Sequence, residues 1–61
     1  MTQKELLYVE DIYNHEQLII NVINNLLTCC DDSTYEALLA KHLNKHTDLS
    51  NNLLNLLEEH V

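Results

Sequence analysis

The chain contains no glycine, no proline, no tryptophan and no phenylalanine. Without glycine or proline, a turn-rich all-β fold is excluded, because such folds need residues for tight reversals. With three tyrosines as its only aromatic residues, the chain has little from which to build a base-stacking platform. Basic residues are also scarce. Three lysines face ten acidic residues, giving a formal charge of −7 with histidine neutral. Three cations cannot build the positive footprint that phosphate backbones require. Nucleic acid is excluded as an expected partner, and an anionic membrane surface is disfavoured for the same reason. A metal ion or a basic protein surface stays open.

The two cysteines, Cys29 and Cys30, are adjacent. Adjacent thiols make neither the spaced framework of a disulfide-stapled domain nor a CxxC redox motif. They read as reduced cysteines at a helix end, consistent with the cytoplasm. An intermolecular disulfide, or metal or oxidant chemistry at the turn, is the alternative. No secretory leader is expected, because LLYV is followed at once by Glu10 and Asp11. The greasy segment LIINVINNLL is interrupted by Asn21, Asn24 and Asn25. It is too short to span a bilayer.

What is present is helical. A length of 61 residues allows a single domain, 1–61, and 46 % hydrophobic residues are too many for charge-driven disorder. Thr2 with Glu5 forms a capping-box signature, and Met1 with Leu6 occupies the positions of a hydrophobic staple. Ser33 with Glu36 repeats the box without the staple, behind Asp31 and Asp32, which favour a helix start. These signals predict helices over about 3–28 and about 34–60, joined by a link over about 29–33. Each helix would be about 39 Å long at 1.5 Å per residue.

A short link predicts an antiparallel helical hairpin. The first apolar stripe is read as Val9, Ile12, Ile19, Ile23 and Leu26, supported by Leu6, Val22 and Leu27. The second is Tyr35, Leu38, Leu39, Leu49, Leu53, Leu56 and Leu57. Both follow the three-four spacing of an amphipathic helix. The stripes are broader than one seam needs. The expectation is therefore all-α: a two-helix hairpin that dimerises into a four-helix bundle. The eight asparagines read as solvated face.

Both stripes turn polar near their midpoints. His15 and Glu16 interrupt the first, and His42, Lys45 and His46 interrupt the second. Folding the chain at about residue 31 puts Glu16 and His46 in the same layer, with His42 one turn nearer the link. Carboxylate and imidazole together suit Zn, Fe or Mn. Histidines at i and i+4 can face one ion, as in helical zinc sites. The candidate ligands are Glu16, His42 and His46, with His15 and Glu10 as further members. A polar layer that sets register without metal accounts for the same residues. So does a differently rotated bundle that leaves them on the surface. His60 reads as a solvated helix end, and Asp11 with His15 as a surface pair.

The segments KELLYVEDIYNHEQLI and AKHLNKHTDLSNNLLNLL resemble short proteins related to spore coat protein F, which look like half-length members of the ferritin-like group. The resemblance covers nearly the whole chain. It is carried by Glu10, Asp11, His15 and Glu16 in the first helix, and by His42, His46 and the leucines after them. It implies an antiparallel helical bundle made by dimerisation and an association with the spore coat or sporulation. The wider group holds two metals through ExxH motifs, and this chain has none: Ile19 follows Glu16 by three, Leu39 follows Glu36, and Tyr13 follows Glu10. The fold can persist where the reaction is lost.

Three roles follow as expectations. The first is a structural or interaction protein, a homodimer joining a larger assembly such as a spore coat. The second is a metal-binding bundle. The third is an acidic adaptor that docks on a basic partner. An enzyme is the weaker expectation, because no nucleophile–base–acid set with a pocket is visible.

Overall fold

A computed structural model describes residues 1–60, so Val61, the last residue of the expected domain, lies outside the described residues. The chain forms two helices, α1 over Gln3–Cys29 and α2 over Ser33–Glu59. They pack against each other as a hairpin measuring 45 × 14 × 12 Å.

The start of α1 follows from the sequence. The Thr2 hydroxyl accepts from the Glu5 amide at 3.1 Å, and the Glu5 carboxylate accepts from the Thr2 amide at 3.1 Å. Two amides that the helix leaves without carbonyl partners are thereby satisfied. Met1 stays exposed while Leu6 is half-buried.

The start of α2 differs from expectation. Asp32, rather than Ser33, is the N-cap. Its carboxylate accepts from the amides of Thr34 at 2.8 Å and Tyr35 at 3.4 Å. Aspartate caps as well as serine does, and its charge also meets the positive end of the helix dipole. Moving the cap back by one residue leaves Glu36 out of capping-box register.

The link needs no glycine. Cys30 ends α1 in an extended conformation, φ −88° and ψ 127°, and no described residue has positive φ. Cys30 Sγ donates to the Asp32 carbonyl at 3.4 Å. At the far end of α2, His60 closes the helix by donating its amide to the Leu57 carbonyl at 3.2 Å.

The buried and half-buried residues of α1 fall at Leu6, Val9, Tyr13, Glu16, Ile20, Ile23 and Leu27, with Gln17 beside Glu16. Those of α2 include Leu39, Leu43, His46, Ser50, Leu53 and Leu57. Steps of three and four alternate along both rows, which is the heptad spacing of helices packed side by side. This seam lies about one residue round from the stripes read in the sequence. Ile12, Ile19, Val22, Leu26, Tyr35, Leu38 and Leu49 all remain exposed, while Tyr13, Ile20 and Leu43 turn inward. Each helix carries two apolar rows about 100° apart. Periodicity alone does not say which row faces the partner helix. Dimerisation into a bundle concerns a second copy, which is absent here.

Candidate functional site: a polar seam layer beside an apolar flank

Halfway along the hairpin the seam changes from leucine and isoleucine to polar side chains. Glu16 is buried, 8 % exposed, on α1. His46 faces it from α2, with Nδ1 2.5 Å from Oε2 of Glu16. With the carboxylate ionised it can only accept, and the imidazole Nδ1 is then the donor of this bond. One step along, Gln17 Nε2 donates to Ser50 Oγ at 2.5 Å. Ser50 is the most enclosed of the described residues, at 2 % exposure. No buried side-chain polar atom is left without a partner among the described residues.

The expected layer is thus formed in part. Glu16 and His46 meet as read from the sequence. His42, His15 and Glu10 are exposed. Among the described residues no group of three or more His, Cys, Asp or Glu side chains is placed to hold a metal ion. Within one chain, Glu16 and His46 are a pair, and an ion would need further ligands from elsewhere. The Gln17–Ser50 bond had no clear signal in the sequence. Its trace is a serine at a seam position in a leucine-rich helix, which marks a place where bulk is not accommodated.

Helical geometry places His42 and His15 on one flank. The residue preceding each seam position lies about 100° round its own helix. The helices run in opposite directions, so viewed from one end they turn in opposite senses. The preceding residues of α1 and α2 therefore come to the same side of the hairpin. On α1 this row holds Glu5, Tyr8, Ile12, His15, Ile19, Val22 and Leu26. On α2 it holds Tyr35, Leu38, His42, Lys45, Leu49, Asn52 and Leu56. The opposite flank carries the residues that follow the seam positions. There stand five of the eight asparagines: Asn14, Asn21, Asn24, Asn44 and Asn51. One side of the hairpin is apolar with a polar middle, and the other is asparagine-rich.

The remaining features are at the surface. Asp11, Asn14, His15 and Leu18 border a shallow depression on α1. Leu26, Cys29, Cys30, Tyr35 and Leu39 border another at the link end. Both cysteines are free. Cys29 Sγ lies 3.7 Å from the Thr28 hydroxyl, and Cys30 Sγ binds the Asp32 carbonyl. Neither partner is a base that would activate a thiol. At the open end, Lys4 Nζ sits 5.9 Å from the centre of the Tyr8 ring, within the range of a cation–π contact.

No helix of the described residues is long and apolar enough to cross a membrane. Compared with known proteins, the chain matches no family model, no curated protein and no solved structure.

Proposed function

We propose that this protein is a structural module that acts by self-association, two hairpins joining into a four-helix bundle. The observation that carries the reading is an imbalance of burial. Among the described residues Ile23 is the one buried hydrophobic residue, whereas eleven large hydrophobic residues are at least 36 % exposed. Ordering a residue costs about 1.5 kcal/mol, and small scaffolds need a partner, a metal or a cross-link to offset that cost. A second copy supplies the missing burial. In this reading Glu16 and His46 set register. A polar pair in an apolar seam disfavours every alignment that separates its members.

The experiment is sedimentation equilibrium of the full chain, joined to thermal melts over a range of protein concentrations. A dimer whose melting temperature rises with concentration is expected. A monomer with a concentration-independent melting temperature would overturn the reading.

The assembly that such a bundle would enter rests on the resemblance to spore coat protein F relatives. A spore coat is the proposed setting, with synthesis in the cytoplasm during sporulation. Imaging a fluorescent fusion through sporulation tests this, and an even cytoplasmic signal in mature spores argues against it.

A second reading, a bundle holding Fe, Mn or Zn, is favoured by the meeting of Glu16 with His46 one turn from His42. Elemental analysis of tag-free protein supplied with each metal distinguishes the two. About one or two ions per dimer, lost in a His42→Ala, His46→Ala double variant, would support the metal reading. Trace metal only would leave the pair a register device.

A further inference from the structure

We infer that the second copy docks on the flank formed by Tyr8, Ile12, Ile19, Val22, Leu26, Tyr35, Leu38 and Leu49, and not on the asparagine-rich flank. The inference rests on the self-association proposed above and names the surface that performs it.

The size of the flank fits the task. Its eight large apolar side chains are between 36 % and 62 % exposed. A large side chain carries about 200 Å², so together they present on the order of 800 Å². That is about one partner's share of a standard protein interface. Scattered exposed leucines need no explanation, but this much apolar surface gathered on one side of a small chain does.

The pattern of the flank selects a copy of the same chain as its occupant. Toward the open end the flank is mainly apolar, at Tyr8, Ile12, Leu49 and Leu56, with Asn52 among them. Apolar residues lie again toward the link, at Val22, Leu26 and Leu38. His15, His42 and Lys45 lie between them. Both helices have 27 residues, so the polar band falls near half height on each. A face reading apolar, polar, apolar about its midpoint is complementary to itself. A two-fold axis then superposes apolar on apolar and polar on polar, as an isologous interface requires. A basic protein partner fits less well, because the row that forms this face carries Lys45 at its middle and no acid there. The opposite flank exposes Leu7 but is otherwise rich in amides, which stay hydrated at little cost.

The test combines mass with a map of the interface. Full-length protein with labelled methyl groups is examined by NMR in the presence of a soluble gadolinium chelate. In the dimer, the methyls of Ile12, Ile19, Val22 and Leu26 are expected to be shielded, while those of Leu7 and Leu18 are broadened. A Val22→Glu, Leu38→Glu variant is expected to weaken association by at least about 30-fold. An Asn21→Glu, Asn51→Glu variant is expected to change it less than about threefold. If the first variant fails to fold, the methyl map of the unmodified protein still decides. A dimer with this flank open to the chelate overturns the inference and leaves self-association standing. A monomer at all concentrations overturns both.

Discussion

Glu16 and His46 stand thirty residues apart in the chain and share a hydrogen bond across the centre of the hairpin seam. Removing only the donor strands a carboxylate that is 8 % exposed. A His46→Leu variant is expected to lose about 2–3 kcal/mol. The Glu16→Leu, His46→Leu double variant should recover most of that loss, since two leucines extend the apolar seam. It should also populate more than one association state, because the register constraint is gone. Urea denaturation at fixed protein concentration reads the first effect and sedimentation velocity the second. A His46→Leu variant as stable as the parent would remove the pair from any structural role.

Ser50 makes a second, less intuitive case. Leucine has the higher helix propensity and is the residue a seam position ordinarily holds. At 2 % exposure, with Gln17 bonded to its hydroxyl, Ser50 has no room for three more carbons. Ser50→Leu is expected to cost about 1–3 kcal/mol through overpacking. Thermal melts test this, and a raised melting temperature would show the seam to be looser than described.

The capping box predicts a pH dependence. The Thr2 backbone amide, and secondarily the Thr2 side chain, hold the Glu5 carboxyl below the usual glutamate range. A pKa lowered by folding means that the folded state favours the anion. The contribution is fully present above the ordinary glutamate range and is lost as pH falls through the lowered folded value. The first turn of α1 should fray over that interval. NMR titration of the Glu5 carboxyl carbon in parent and Thr2→Ala protein checks the cause. The midpoint should rise part of the way toward the ordinary range in the variant, which loses the hydroxyl and keeps the backbone amide; an unchanged midpoint would mean that the hydroxyl contributes nothing.

Charge at the ends bears on how two copies lie. The open end gathers Glu5, Glu10, Asp11, Glu58 and Glu59, and the link end Asp31, Asp32 and Glu36. Placing both links together would set the more acidic ends against each other, so links at opposite ends are expected, most firmly at low salt. Spin labels on Cys29 in a Cys30→Ser protein should then lie on the order of 40 Å apart, the length of one helix. Separations of about 20 Å, the width of a bundle, would indicate the reverse orientation.

The helices and their approximate ends were legible because they depend on local chemistry. Thr2 and Glu5 satisfy each other's amides within one turn, and nothing between Gln3 and Cys29 interrupts the backbone ladder. The pairing of Glu16 with His46 was legible as well, because a short link sets antiparallel register by counting. The identity of the second cap was less so, since Asp32 and Ser33 are adjacent and both can cap.

The rotation of each helix about its own axis was not legible. Ile12 and Tyr13, Ile19 and Ile20, Val22 and Ile23, and Leu26 and Leu27 are neighbouring apolar residues that point about 100° apart. A periodicity of three and four fits either member of each pair. The choice was made by packing between the helices, where Glu16 finds an imidazole, Gln17 finds a hydroxyl and Ser50 is enclosed. The sequence by itself determined that there would be two helices, how long they are and which residues lie level with one another, since hydrogen bonds along the chain and the length of the link decide those. Only the tertiary structure decided which apolar row closes the seam and which is left facing outward, because that depends on contacts between residues far apart in the chain.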